Sequence, residues 1–148
     1  MSSVEIRLFE GFRVIADGRE LPLSPSVKET LALLTAAGGK KVTAKALWKV
    51  LYDYKKVGYN SVLYTRRINE LKSELEAFKI SGIVYSGTKN VRFCRIVQEA
   101  VVCDYFEMLS GSLPIGRESD FLPEYEWAKN FYHNDRSSLY QYWDDLKC

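Results

Sequence analysis

Six polar or charged side chains gather on one side of the stretch NSVLYTRRINELKSELEAFK, residues 60–79. At 100° per residue Thr65, Arg66, Asn69 and Ser73 point one way together with Val62, flanked by Lys72 on one shoulder and Arg67 on the other. Arg, Asn, Thr, Ser and Lys are the side chains that hydrogen-bond base edges and phosphates in a duplex groove, so the chemistry on offer is recognition of a polyanion. Covalent chemistry has a thinner basis. The single histidine, His133, lies in a polar stretch far from any cysteine, and Cys94, Cys103 and Cys148 form no CxxC pair. Neither a zinc site nor a nucleophile–base constellation can be assembled from them, so no metal, no cofactor and no enzymatic activity are expected, and His133 is read as a surface residue.

The element that must carry the polar face is a helix. Tyr64, Ile68, Leu71, Leu75 and Phe78 recur at the spacing of a single buried stripe opposite it. An ordinary amphipathic helix with a solvated face is the alternative reading, and the neighbouring elements decide between the two.

Charge is the first neighbour to consult. The chain of 148 residues has a net charge of only +2, yet residues 40–95 hold thirteen Lys or Arg against Asp53, Glu70, Glu74 and Glu76, a local excess of nine. A basic middle between acidic ends is the footprint of a polyanion-binding surface. With 47% hydrophobic residues the chain can bury one sizeable core and a small appended subdomain. An odd cysteine count and a start without a basic, then apolar, leader read as a reduced, cytoplasmic protein, and no apolar stretch approaches the ~18 residues of a membrane span.

Taken in order, the chain opens with alternating Val4, Ile6 and Leu8, then the extended run 12–16. Asp17-Gly18 signals a two-residue hairpin turn, and Leu21-Pro22-Leu23 is expected as a third, edge strand, which makes a small antiparallel sheet. Ser24-Pro25-Ser26 opens a helix in which Ser26 and Glu29 fit a capping box, and Gly38-Gly39 ends it. A short bridging strand at 40–42 follows, then a helix from Ala44 to about Tyr52, capped by Thr43, with Leu47, Val50 and Leu51 inward and Trp48 at the core or its edge. After a basic, tyrosine-rich connection at 53–59 comes the polar-faced helix. Segments 83–85 and 91–94 then bracket a hairpin with a basic tip. This order is that of a winged helix-turn-helix, with the last helix in the major groove and the hairpin on the flanking backbone or minor groove, and it favours nucleic acid over the solvated face.

The segments VEIRLFEGFRVIADGRELPL, KKVTAKALWKVLY and NSVLYTRRINELKSEL resemble the OmpR/PhoB-type winged helix in the version carried by SARP-type bacterial activators. Val102-Cys103-Asp104-Tyr105-Phe106 and residues 122–128 are similar to the start of the bacterial transcriptional activation domain that follows it. The resemblance implies a four-stranded N-terminal sheet, a DNA-reading third helix beginning near Asn60, and a loop at 53–59 that can touch RNA polymerase, with Tyr54, Lys55 and Lys56 as its contacts. It also implies control by a receiver or sensor domain. The expected fold is α+β, with a winged-helix DNA-binding domain at 1–98 and an aromatic-rich helical extension at 99–148.

The expected activity is sequence-specific binding of double-stranded DNA in transcription regulation, as a response-regulator output or SARP-like activator. Its DNA contacts are expected at Asn60, Ser61, Val62, Thr65, Arg66, Arg67, Asn69, Lys72, Ser73, Lys89 and Arg92. Partners beyond DNA are RNA polymerase, a receiver or sensor domain, and a second copy of the chain on tandem sites; none is a membrane. Arg67 lies nearer the buried stripe and has bracing of the helix as its alternative role. Two features depart from the family. Asn69-Glu70 stands where members usually carry Arg or Lys, with Glu74 and Glu76 following, and carboxylates near phosphates oppose binding. The long helical-repeat domain of such activators has no room before Cys148. The alternative is an interaction module that kept the winged-helix shape and lost groove binding. Residues 105–143 hold ten of the twenty aromatics, expected to pack the tail onto the N-terminal sheet rather than to form an exposed partner surface, with a helix from about Glu124.

Overall fold

The computed structural model describes residues 4–52, 59–80, 82–87, 92–135 and 137–141. Its elements are strands β1 (Val4–Arg7), β2 (Arg13–Ala16) and β3 (Arg19–Glu20), helix α1 (Pro25–Ala36), strand β4 (Val42–Thr43), helices α2 (Ala44–Tyr52) and α3 (Ser61–Ala77), strands β5 (Val84–Ser86), β6 (Phe93–Ile96) and β7 (Val102–Cys103), and helix α4 (Asp104–Leu109). The class is α+β: one sheet in the order β3-β2-β1-β7, a second in the order β4-β6-β5, and helices packed between and around them.

The N-terminal hairpins form as the alternation predicts. β1 and β2 are antiparallel with Val4 opposite Ala16, and Val4, Ile6, Val14 and Ala16 face the core. Asp17 and Gly18 both take positive φ, 52° and 77°, the two-residue turn that matches strand twist. The third strand is Arg19–Glu20 rather than 21–23. Leu21 N still donates to Val14 O at 2.8 Å, but Pro22 has no N–H with which to continue the ladder. The sheet does reach four strands, although it is not purely antiparallel: Val102–Cys103 runs parallel to β1, with Glu5 opposite Val102.

Helix α1 is buried on nearly every side, from Val27 through Thr30 to Ala36. A helix this apolar all round needs cover on both faces. Helix α3 and strand β6 pack against it, and the C-terminal segment adds to that cover, with Trp127 Nε1 donating to Glu29 Oε2 at 3.0 Å. The left-handed Gly38 (φ 69°) that follows α1 lies so near Leu139 that a Cβ there would come within 2.6 Å of the leucine side chain. Pro25 takes the first helical position as expected, but the capping box does not form. Ser24 is the N-cap, its side chain makes no cap hydrogen bond, and Glu29 turns to other partners.

Thr43 caps α2 through its Oγ1, which accepts from Ala46 N at 3.1 Å. Leu47, Trp48 and Leu51 are buried, with the Trp48 ring stacked on Tyr52 at 4.1 Å, while Val50 is only half-buried. Helix α3 buries Tyr64, Ile68, Leu71 and Leu75, the predicted stripe, with Phe78 half-buried at its end. Each fully buried leucine of that stripe contributes about 1.5–3 kcal/mol of transfer free energy. Lys79 then takes φ 61° and Ile80 N closes back onto Leu75 O at 3.0 Å, a left-handed helix stop.

The hairpin strands lie one or two residues beyond the predicted segments, at 84–86 and 93–96, and β4 joins them opposite Cys94 and Phe93. The tail holds the larger corrections. Asp104–Leu109 is a helix the sequence reading did not assign, and the helix expected from about Glu124 is a five-residue 3-10 turn, Glu126–Asn130, followed by a short helical segment at 137–141. The aromatics nevertheless pack as predicted. The Phe9 ring meets Tyr105, Phe121 and Tyr132 edge-on at 5.6–6.3 Å, Leu122 N donates to Leu8 O, and Phe12 N donates to the Glu124 carboxylate at 2.9 Å. Tyr142 and Trp143 lie outside the described residues. Among the described residues no helix is long and apolar enough to cross a membrane.

Candidate nucleic-acid interface

The entry to α3 is fixed by Asn60. Its Oδ1 accepts from Val62 N at 2.9 Å and Leu63 N at 3.1 Å, so this predicted contact residue serves as an N-cap. Ahead of it the Tyr59 ring meets Trp48 at 6.2 Å and Tyr64 at 6.5 Å, which locks the first turn to α2. With the stripe of Tyr64, Ile68, Leu71 and Leu75 turned in, the helix period leaves Val62, Thr65, Arg66, Asn69, Glu70, Lys72 and Ser73 in solvent. Val62 is the most conspicuous of these, an aliphatic side chain 66% exposed.

Ser61, Val62, Thr65, Arg66, Asn69, Glu70 and Ser73 line one open depression, and Arg92 from the strand side of the hairpin completes it. Thr65 Oγ1 donates to Ser61 O at 2.9 Å, which commits its proton and leaves its lone pairs outward. Arg66 makes no hydrogen bond or ion pair among the described residues. Across α3 a second depression runs to the hairpin along Asn69, Lys72, Ser86, Gly87 and Arg92, and Lys72 Nζ donates to Ser86 Oγ, tying helix to strand. The arrangement presents two guanidinium groups, four amide or hydroxyl side chains and one carboxylate on a convex helix beside a hairpin.

Seven of the predicted residues are thus brought together: Ser61, Val62, Thr65, Arg66, Asn69, Ser73 and Arg92. Lys72 joins them through the hairpin. Arg67 does not. Its side chain is 11% exposed; Nε donates to Thr30 Oγ1 at 2.6 Å, one terminal nitrogen to the Tyr52 hydroxyl, and the other to Ser26 O at 3.2 Å while facing Glu29 at 3.5 Å. It braces α3 against α1 and α2, the alternative its position near the stripe offered. Lys89 and the loop contacts Tyr54, Lys55 and Lys56 lie outside the described residues.

Of Glu70, Glu74 and Glu76, read from sequence as carboxylates that oppose binding, the first two separate. Glu70 lines the depression, whereas Glu74 accepts from both the backbone N–H and the hydroxyl of Ser24, so a side chain of α3 caps the start of α1. Nothing local in the sequence signals that pairing across fifty residues. The buried polar pair beneath the interface is Tyr64 and Cys94, whose hydroxyl and sulfur lie 3.4 Å apart. Burial pushes both groups up, so each stays protonated at neutral pH and Cys94 offers no thiolate. Cys103 is likewise pushed up by burial. His133 is not a surface residue: it is half-buried, its backbone N–H donates to the Tyr105 hydroxyl at 3.1 Å, and burial lowers the pKa of its ring against a smaller opposing pull from Asp135.

Comparison with models of known protein families, with curated proteins and with solved structures finds no match to this chain.

Proposed function

We propose that the chain is a sequence-specific reader of double-stranded DNA acting in transcription regulation, built as a winged helix-turn-helix of the OmpR/PhoB type with α2 and α3 as the helical pair and the β5–β6 hairpin as the wing. The observation that carries the reading is the outward face of α3, where Arg66 and Asn69 make no hydrogen bond or ion pair among the described residues and stand beside Arg92. An unpaired guanidinium matches the two acceptors of guanine and a carboxamide matches the donor–acceptor pair of adenine, both in the major groove. Glu70 fits the same scheme as an acceptor for the cytosine amino group, and Arg92 reaches the backbone that flanks the helix. The family resemblance adds RNA polymerase and a receiver or sensor domain as partners; a second copy of the chain on tandem sites is a further partner, and the odd cysteine count without a CxxC pair supports a cytoplasmic location.

A second reading has its own support. Glu70 and the exposed Val62 lie in the same depression, a mixture that also suits a protein partner. Selection from random duplex DNA separates the two. An enriched motif supports the DNA reader; salt-sensitive binding with no motif leaves the interaction module in the lead, because non-specific phosphate contact carries no sequence information.

A further inference from the structure

The grip on Arg67 begins in the C-terminal segment. Trp127 is buried to 9% exposure, stacked on Tyr125 at 5.3 Å and edge-on to Phe131 at 5.6 Å, and its indole Nε1 donates to Glu29 Oε2 at 3.0 Å. The other oxygen of that carboxylate faces the Arg67 guanidinium at 3.5 Å. Arg67 spreads its remaining donors over Thr30, Ser26 and Tyr52, and its guanidinium lies over the Tyr52 ring at 5.4 Å. A continuous run of polar contacts therefore leads from the tail, through α1, into α3, and stops one residue short of Arg66.

We infer that Trp127 is a positioning residue for the α3 face, acting through Glu29 and Arg67. This rests on the reading of α3 as the DNA-reading helix. The physical reason is that a carboxylate with a donor on each oxygen has one orientation, whereas with one donor removed it can swing toward solvent, since Glu29 remains 28% exposed. Arg67 then loses the one charge it faces among the described residues, and the neutral acceptors Thr30, Ser26 and Tyr52 are left to set the roll of α3 about its axis. A roll of roughly 10° carries a side-chain tip about 1 Å around a helix of this radius, enough to spoil paired hydrogen bonds to a base edge while leaving phosphate contacts intact. Docking of the tail and base readout are in this way one event.

The test uses the full chain with two conservative variants. Trp127→Phe keeps a ring in the tail's core and deletes the indole donor; Glu29→Gln keeps an acceptor and deletes the charge facing Arg67. Each is expected to lower the ratio of affinities for the selected duplex and a scrambled one roughly threefold to tenfold, with scrambled binding unchanged, and the double variant is expected to do no more than either alone. In the absence of DNA, amide resonances of residues 61–77 should move in both variants. Backbone shifts confined to the tail and α1, or an unchanged duplex ratio in variants whose parent loses it on Arg66→Ala, would overturn the positioning role. If the parent prefers no duplex at all, the DNA reading fails instead, and the amide shifts alone decide whether the tail is coupled to α3.

Discussion

Arg66 and Arg67 are neighbours in sequence with opposite fates, and the difference is about 100° of helix. Arg67 is turned inward and consumed by internal acceptors, while Arg66 is left in solvent. Arg66→Ala should therefore cost about 1–3 kcal/mol on the selected duplex and relax preference at one or two base pairs, with the melting midpoint unchanged. Equilibrium binding to selected and scrambled duplexes measures both quantities. Intact affinity and preference would remove α3 as the reading helix. His133 supports a prediction of another kind. Burial lowers its pKa in the folded chain below the usual 6.5, so the unfolded chain takes up a proton first as the medium is acidified. The stabilisation is complete above pH 6.5 and is lost as pH falls through the lower folded value. His133→Gln should flatten that part of a stability-against-pH curve recorded by denaturant titration; a curve of unchanged slope would show that the histidine keeps its ordinary pKa.

The helices differ in how much of them the residue order reveals. α3 is legible along its length because its stripe and its outward face are set within four residues of one another, although Asn60, expected as a DNA contact, serves as its cap. The candidate site was legible to the same extent: seven of the eight residues lining the depression, all but Glu70, follow as contacts from the helix period plus one hairpin residue. What escaped was set at long range. Glu29 looks like a capping-box residue until Trp127 and Arg67 claim it, and Glu74 looks like a misplaced negative charge until Ser24 is brought against it. α4 escaped for the same reason, since the Asp104 carboxylate at its start accepts from Leu8 N at 2.9 Å and Phe9 N at 3.3 Å, a partner almost a hundred residues away. Glu74→Ala should then act on α1 rather than on DNA affinity. The expected loss is about 1 kcal/mol, the usual cost of a missing helix cap, read as a melting midpoint lower by roughly 3–4 °C. Tighter DNA binding with an unchanged midpoint would restore the carboxylate to the groove.

At the scale of the molecule, one apolar cluster runs from Val4 to Leu139, and the aromatic tail is part of it. A chain ending at residue 100 loses β7, α4 and the rings around Phe9, and leaves α1 short of cover on one side. Its melting midpoint should fall well below that of the full chain and it should bind a hydrophobic dye, by the transfer free energy of the surface exposed. Equal midpoints would mean that the tail does not contribute to the core. The prediction of a small appended extension thus understates the tail, because composition cannot tell an aromatic segment that adds to a core from one that completes it. The pairing of β7 with β1 also sets a clock. Glu5 and Val102 stand ninety-seven residues apart in sequence and opposite each other in the sheet, so during synthesis the first strand emerges long before its parallel neighbour exists. At 5–20 residues per second the nascent N-terminal hairpin waits roughly five to twenty seconds with that edge open to any other extended chain nearby.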